Sequence, residues 1–186
     1  MKTKKLIDLI LDDLSSTLHQ VDPDQIDALR SALLHANRIF IAGKGRTGLQ
    51  MRAFAMRLMQ LGLHVHAVDD VTTPSIQSGD LLLLGSASGR TTSLVRYAES
   101  TRSIGALVGT IVGDPTSPIT ASANYVVTIP AGNFKSAEQS RSNSVLVMGS
   151  LFEHSLGLLC DLIVVQLKSA LNVSEEKMNS RHANLE

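Results

Sequence analysis

The segment Leu81-Leu-Leu-Leu-Gly-Ser-Ala-Ser-Gly-Arg-Thr-Thr92 predicts a strand, a turn and the start of a helix. Its four leucines form a continuous apolar run that ends in Gly and Ser, which is typical of a strand buried in a parallel sheet. The residues that follow the turn, up to Ile104, have the pattern of a helix. The turn therefore places several hydroxyl and backbone N–H groups at a helix N-terminus, where an anion such as phosphate binds readily.

Four other short apolar runs in the chain also have the character of strands. The five predicted strands cover residues 39–42, 65–68, 81–84, 107–112 and 125–129. The first strand is followed by a helix that ends at Gly62, and the third strand is followed by a helix that extends to Ile104. Strands that alternate with helices imply right-handed crossovers and a parallel sheet with both faces covered. The predicted fold class is therefore α/β.

The two ends of the chain are predicted to be helical. Residues 6–18 form one amphipathic helix, and a second begins at Asp22-Pro23 with Gln25 completing a capping box. A long apolar helix runs from Val147 to about residue 171, and a short one begins at Ser174. Residues 131–146 are polar and lack periodicity, so we expect a loop there. Without a repeat or linker, residues 1–186 are predicted to form one domain, with helices in 1–36 and the α/β core in 37–186.

Composition excludes several classes of protein. The 17 basic and 17 acidic side chains cancel, so no bulk charge attracts nucleic acid or an anionic membrane. Aromatic residues are scarce and Trp is absent, which argues against stacking on nucleic-acid bases. Cys160 is the lone cysteine and most simply a small buried apolar residue, so no disulfide or thiolate cluster forms within the chain. We expect no apolar run to approach the ~20 residues of a membrane span. We expect a cytoplasmic protein.

A second glycine-rich turn, Gly43-Lys-Gly-Arg-Thr-Gly48, lies between the first strand and its helix. It fits the GxGxxG pattern of dinucleotide sites, and Asp69 and Asp70 follow at a suitable distance. Two preceding helices, the charged side chains in the turn and the lack of a substrate domain weaken that interpretation. The alternative is a smaller ligand, which the glycines allow close to the backbone. The residues predicted to approach such a ligand are Gly45, Arg46, Thr47 and Gly48.

Three further features each have a structural and a functional interpretation. The Ser86–Thr92 turn lacks the nucleotide P-loop spacing, and it either caps a helix through Thr91 or Thr92 or binds an anion. Ser150 and Glu153 form the S-x-x-E pattern of a capping box, although a carboxylate there can also act as a general base. The terminal His182 is titratable, but terminal segments commonly fray. His64 and His66 alternate along a strand and are more typical of core or edge histidines than of metal ligands.

Taken together, these segments resemble the sugar isomerase (SIS) domain family and, within it, the 6-phospho-3-hexuloisomerases. The resemblance runs from residue 43 to the C-terminus in the family's order, and the N-terminal helices agree with it. Its two most specific segments are at residues 148–153 and 181–186. The segments that carry it are Gly43-Lys-Gly-Arg-Thr-Gly48, Phe54-Ala-Met-Arg-Leu-Met59, Ser86-Ala-Ser-Gly-Arg-Thr91, Met148-Gly-Ser-Leu-Phe-Glu153 and Arg181-His-Ala-Asn-Leu-Glu186.

The resemblance implies a fold, an assembly and a reaction. The fold is a three-layer sandwich around a five-stranded parallel sheet of the flavodoxin-like type, and the assembly is a homotetramer with active sites near subunit interfaces. The reaction interconverts a 3-hexulose 6-phosphate and fructose 6-phosphate without a metal or an organic cofactor, as part of formaldehyde fixation or pentose phosphate supply. A phosphorylated sugar is the expected partner, and nucleic acid and membrane are not.

The resemblance also implies roles for particular residues. Glu153 is the base that moves a proton between two carbons through an enediol. His182 assists proton movement between the oxygens, from its own subunit or from a neighbour. The residues implied to bind the phosphate and the rest of the substrate are Ser86, Ser88, Gly89, Thr91, Thr47, Arg46 and Gly45. The alternative hypothesis is a non-catalytic SIS protein that senses a sugar phosphate, and a dinucleotide oxidoreductase ranks third.

The chain departs from the family pattern at three places. Ala87 and Arg90 stand where the family commonly has Gly and Glu, and Lys44 replaces a small residue in the first turn. Leu146-Val147 replaces the Gln-Pro that commonly precedes Met-Gly-Ser. Arg90 is expected to make the phosphate loop more cationic, and the approach to Glu153 is expected to follow another path. The identity of the sugar therefore depends on these positions.

Overall fold

The computed structural model of the protein describes residues 2–131 and 144–185. Within these ranges five parallel strands form one sheet in the order β2-β1-β3-β4-β5, which is the flavodoxin-like order. The α/β prediction and the five strands are confirmed, whereas most of the predicted loop 131–146 lies outside the described residues. The strands are Ile39–Gly43 (β1), Val65–Ala67 (β2), Leu81–Ser86 (β3), Leu107–Val112 (β4) and Tyr125–Thr128 (β5).

Helices cover both faces of the sheet and give the fold three layers. Helices α2, α3 and α5 cover one face, where α1 packs on α5, while α4 and a 3₁₀ helix cover the other. The 3₁₀ helix, Pro118–Ser122, was not predicted. The α-helices of the described residues are Thr3–Leu18 (α1), Pro23–His35 (α2), Gly45–Leu61 (α3), Thr92–Ile104 (α4), Ser150–Ala170 (α5) and Glu175–Asn179 (α6).

Alternate residues of the central strands belong to two separate cores. In β1, Ile39 and Ile41 pack with α2, α3 and α5, whereas Phe40 and Ala42 pack with α4. The leucines of β3 divide in the same way and are at most 2% exposed. Because both faces of these strands are buried, their sequences are continuously apolar rather than alternating.

Two glycines allow α3 to begin directly against the end of β1. A Cβ atom added to Gly48 would lie 2.6 Å from the carbonyl oxygen of Gly43, and one added to Gly43 would lie 2.9 Å from the Cα of Gly48. Backbone therefore touches backbone, as the third glycine of a GxGxxG turn commonly permits. This contact fixes the position of the first turn of α3, which carries Arg46 and Thr47.

The predicted capping box of α2 was wrong in one of its two members. Asp22 caps the helix, because its carboxylate accepts the N–H of Asp24 at 2.9 Å. Gln25 does not reach back to the cap. Its Oε1 instead accepts the N–H of Thr128 at 2.9 Å, which ties α2 to β5 at the edge of the sheet. A partner 103 residues away in the sequence replaced the local one.

The expectation that no apolar run approaches the length of a membrane span was wrong for helix α5. Of the described helices it is the one whose length and composition would allow it to span a membrane. It packs against α1, α2 and α3, and Leu156, Leu159, Ile163 and Leu167 are at most 1% exposed. Burial among several neighbours explains the apolar residues on one side of the helix, whereas Leu158, Leu162 and Val165 are exposed. Cys160 is buried on this helix, as predicted, and burial raises the pKa of its thiol.

Replacement of Gly48 by Ala tests the backbone contact between α3 and β1. The added methyl group would clash with a carbonyl oxygen that cannot move without displacing β1, so Gly48→Ala is expected to lose about 1–3 kcal/mol of stability. Urea unfolding, followed by circular dichroism, measures this loss as a lower transition midpoint.

Gly157→Ala on α5 is the matched control. Its added Cβ would meet the flexible end of the Gln50 side chain, and alanine is favoured over glycine inside a helix by about 1 kcal/mol. The free energy of unfolding of Gly157→Ala should therefore equal or exceed that of the wild type. Equal losses in both variants would contradict the special role of the Gly43–Gly48 contact.

Candidate active site

A cleft of about 250 Å³ opens at the carboxyl ends of β1 and β3. These strands are neighbours, with Gly43 paired to Gly85, yet the chain leaves them toward opposite faces of the sheet. Ligands of open α/β sheets bind at such a reversal of strand order. The cleft is lined by Lys44, Gly45, Arg46, Thr47, Gly85, Ser86, Ala87, Ser88, Thr91, Leu94, Gly149 and Glu153.

The N-termini of three helices meet at this cleft. Gly45 and Thr47 belong to the first turn of α3, Thr91 is the N-cap of α4, and Gly149 is the N-cap of α5. The first N–H groups of each helix lack partners inside the helix, and each helix dipole is positive at that end. The arrangement suits an anionic ligand, and the sequence had suggested such a helix end for α4 alone.

The serines of the Ser86–Thr92 turn hold the turn in shape. Ser86 Oγ accepts the N–H of Gly89 at 3.1 Å, and Ser88 Oγ accepts the N–H of Arg90 at 3.3 Å. Each hydroxyl still has its own proton to donate toward the cleft. Thr91 is the N-cap of α4 but makes no side-chain capping hydrogen bond, so the interpretation of the turn as a simple cap is not supported.

Gly89 shapes the turn without lining the cleft. Its φ of +60° lies in the left-handed region, and a Cβ atom there would come within 1.9 Å of Ser117 Oγ. Its carbonyl oxygen accepts the N–H of Ile119 at 3.2 Å. Gly89, which was predicted to bind phosphate, therefore contacts the 3₁₀ helix behind the turn.

Arg90 does not add an uncompensated positive charge to the turn, which corrects the expectation from the sequence. Its Nη2 donates to Asp114 Oδ2 at 3.0 Å, and the Asp114 side chain is 5% exposed. Hydrogen bonds from Thr116, together with the Arg90 guanidinium, lower the pKa of Asp114. The N–H of Gly113 also donates to the carbonyl of Ala87 at 3.0 Å. The loop after β4 thus supports the turn after β3.

Lys44 is likewise paired at the rim of the cleft. Its Nζ lies 2.8 Å from Asp69 Oδ2 and 5.8 Å from the centre of the Tyr97 ring. The hydrogen bonds between the two charges raise the pKa of Lys44 and lower that of Asp69. Asp70 pairs with Arg52 at 2.5 Å. Both acids that could serve a dinucleotide site are therefore paired with a cation of the chain.

Glu153 enters the cleft from the first turn of α5. Because Gly149 is the N-cap, Ser150 is the first helical residue and the predicted capping box does not form. Ser150 Oγ instead accepts a hydrogen bond from Arg46 Nη1 at 2.8 Å. The same Nη1 lies 3.2 Å from Glu153 Oε2, and the Glu153 side chain is 17% exposed. A positive charge therefore faces a mostly buried carboxylate across the cleft.

His154, which was not predicted from the sequence, also contacts Arg46. Arg46 Nη2 lies 3.2 Å from His154 Nε2, so one guanidinium joins α3 to three residues of α5. The available signal was the spacing of Ser150 and His154, because residues four apart share one face of a helix. The structure also gives Leu146 a half-buried place against the core, and Glu153 lines the cleft despite the changed residues before it.

His182 does not lie in the cleft of its own chain. Its neighbour Arg181 donates to the carbonyl of Gln60 at 2.9 Å, at the far end of α3. The 15 residues that separate Gln60 from Gly45 make this about 20 Å from the cleft along the helix axis. His66 stacks near Phe40, with ring centres 5.2 Å apart. Within residues 2–131 and 144–185, no group of three His, Cys, Asp or Glu is arranged to hold a metal.

A comparison with known protein families assigns the chain to one of them. The model of the SIS domain matches residues 32–156, which include β1, β3 and the start of α5. The chain belongs to the SIS domain family. The resemblance carried by the glycine turns and by the segment at residues 148–153 is thereby confirmed, together with the five-stranded α/β fold of this SIS domain.

Two relatives that match most or all of this SIS domain carry the same name. The 3-hexulose-6-phosphate isomerase of Mycobacterium gastri is 39% identical over 97% of this chain and 89% of its own length. The enzyme of that name from Bacillus subtilis is 35% identical over the whole of both chains. A solved Methanococcus jannaschii structure, from which a function of 3-hexulose-6-phosphate isomerase was inferred, has a TM-score of 0.83 and 31% identity, and covers 97% of this chain and 98% of its own.

Asp114 gives this SIS domain a testable pH dependence. Its pKa is lowered in the folded protein, so its stabilising contribution is present above the ordinary pKa of about 3.9 and is lost as the pH falls through the folded value. Asp114→Asn should therefore be less stable than wild type by about 1–3 kcal/mol at neutral pH. Urea unfolding as a function of pH should show this difference shrinking below about pH 4.

Asp27→Asn is the control for this measurement. Asp27 pairs with Arg30 on the surface of α2 and is 57% exposed, so its replacement should change stability by less than about 1 kcal/mol. A pH-independent difference between wild type and Asp114→Asn would show that the charge of Asp114 does not hold the loop.

Proposed function

We propose that this SIS domain is a phosphosugar isomerase that interconverts a 3-hexulose 6-phosphate and fructose 6-phosphate. One observation carries the proposal: a single cleft joins three helix N-termini and a hydroxyl-rich turn to the mostly buried carboxylate of Glu153. The helix N-termini and the hydroxyl-rich turn suit the binding of a phosphate. The carboxylate of Glu153 suits the abstraction of a proton. Relatives named 3-hexulose-6-phosphate isomerase that match the whole chain support the choice of substrate.

The reaction moves a carbonyl group from C3 to C2. A base removes the proton from C2 of the 3-hexulose, the electrons of that bond form a 2,3-enediol, and a proton returns to C3. In our proposal Glu153 removes and returns this proton, while the hydrogen on the C2 oxygen is lost and the C3 oxygen gains one. Oxidation at one carbon balances reduction at the next, so the step consumes no external oxidant or reductant.

Arg46 and the phosphate site complete the proposed mechanism. Negative charge develops on the substrate oxygen as the C–H bond breaks, and the Arg46 guanidinium faces the same cleft. The phosphate does not react, but its binding orients the reacting carbons against Glu153. We assign that binding to Thr47, Ser86, Ser88 and Thr91 with the adjoining backbone. Arg90 supports the turn from behind through Asp114.

Deuterium exchange tests the base. Wild-type protein incubated with fructose 6-phosphate in deuterated water should exchange the C3 hydrogen, which proton NMR follows directly. Glu153→Gln keeps the shape of the side chain but removes its basicity, so exchange should slow about 10²–10⁴-fold. Asp161→Asn, an exposed acid of the same helix, is the matched control and should exchange at the wild-type rate.

Each other result of this experiment has a definite meaning. Binding of fructose 6-phosphate by the wild type without exchange would favour a sugar-phosphate sensor over an isomerase. Exchange that persists in Glu153→Gln would keep the isomerase and reject Glu153 as its base. Saturable NADH binding at micromolar concentration would reject both in favour of a dinucleotide enzyme.

We further propose a homotetramer in which His182 acts in the cleft of a neighbouring subunit. The distance between His182 and the cleft of the same chain supports this proposal. Arg181 anchors the segment at the end of α3 that is remote from that cleft. A histidine delivered by another copy would move the proton between the two substrate oxygens. The site would then be built from two chains.

Subunit mixing tests this arrangement. Glu153→Gln and His182→Ala are each expected to be nearly inactive, and their coexpression as mixed oligomers should restore about a quarter of the wild-type activity, because one intact pairing arises in four random ones. Sedimentation velocity on the same samples reports the size of the assembly. If His182 serves its own chain, every chain in the mixture has one defect, and no activity will return.

A further inference from the structure

The first turn of α5 presents three acceptor groups to the guanidinium of Arg46. Nη1 donates to Ser150 Oγ at 2.8 Å, and Nη2 contacts His154 Nε2 at 3.2 Å. Glu153 Oε2 lies 3.2 Å from Nη1 as an ion pair. Both Nη groups of Arg46 are thus engaged by residues that flank the carboxylate.

The chemistry of arginine fixes the roles in the contact with His154. A guanidinium carries only donors, so Nε2 of His154 must accept and the ring proton must reside on Nδ1. Arg46 is about half exposed, so burial alone does not hold its planar head. Ser150 and His154 bind separate nitrogens of that head and thereby determine its orientation.

This orientation has a consequence for Glu153. An arginine next to a carboxylate tends to form two parallel hydrogen bonds with it, which occupy lone pairs on both oxygens. Here the well-aligned hydrogens of Arg46 go to Ser150 and His154, and Glu153 receives the positive charge at 3.2 Å without that two-pronged contact. The carboxylate therefore keeps lone pairs with which to accept a proton from carbon.

We propose that His154 is a positioning residue of the reaction: it retains Nη2 of Arg46 and so prevents Arg46 from forming a bidentate pair with Glu153. The proposal rests on the function proposed above, since it concerns the availability of the base. His154 acts through Arg46 and does not touch the substrate. Ser150 performs the corresponding task for Nη1.

Steady-state kinetics of two His154 variants test the proposal. His154→Ala frees Nη2 to turn onto Glu153, so kcat should fall about tenfold. KM should change by less than about threefold, because the phosphate contacts are untouched. His154→Gln supplies an amide oxygen that accepts the same hydrogen bond, and it should recover most of kcat.

A double-variant comparison separates positioning from a direct role. If His154 acts through Arg46, His154→Ala should cost nothing further in an Arg46→Ala background. An additional tenfold loss in that background would overturn the proposal, because it would place His154 in contact with the substrate. A kcat of His154→Ala equal to that of wild type would overturn it as well.

Crystal structures of the His154 variants decide the question independently of turnover. His154→Ala should show Arg46 with both Nη groups on Glu153, and His154→Gln should retain the wild-type arrangement. Arg46 that keeps its wild-type position in His154→Ala would overturn the positioning role. A wild type without deuterium exchange would instead reject the proposed function, and the position of Arg46 in the variant would still determine whether His154 controls it.

Discussion

The pairing of β1 with β3 is the constraint on which the rest of the structure depends. The two strands run parallel and side by side, yet one continues into α3 on one face of the sheet and the other into α4 on the opposite face. A cleft must open between two helices that diverge in this way. The Gly43–Gly48 contact brings α3 close to the sheet, and the turn after β3 forms the opposite wall.

Electrostatic pairing organises the rim of this cleft. Lys44, Arg46 and Arg90 lie on the two turns, and each is joined to an acid from another element: Asp69, Glu153 and Asp114. Because these three cations are paired, the helix N-termini are the groups of the cleft that are left to attract an anion. Such fixed dipoles and tethered charges need little reorganisation when an anion binds. In the function that we propose, the hydroxyl-rich turn and Glu153 serve different parts of one ligand.

Expectations from the sequence succeeded where local pattern and tertiary structure agree, and they failed where a distant partner competed. The apolar runs at residues 39–42 and 81–84 became central strands because burial on both faces demands such runs. Gln25 had the right spacing for a capping box, but Thr128 offered it a backbone N–H. Ser150 also had the spacing of a capping box, but Gly149 is the N-cap of α5. The hydroxyl of Ser150 instead accepts a hydrogen bond from Arg46. Arg90 was predicted to be a free cation, because its partner Asp114 lies 24 residues away in the sequence.

Local sequence patterns were enough to predict the succession of strands and helices along the chain, the two glycine turns and the hydroxyl groups at a helix N-terminus. These features follow from short-range periodicity and from the conformational freedom of glycine, which act within a few residues. Which residues meet in the cleft depends on the three-dimensional fold. It joined Arg46 to His154, about a hundred positions apart, and it placed His182 at the far end of α3. Hydrogen bonds and ion pairs depend on distance in space, and the crossovers of a doubly wound sheet make that distance unrelated to separation along the chain.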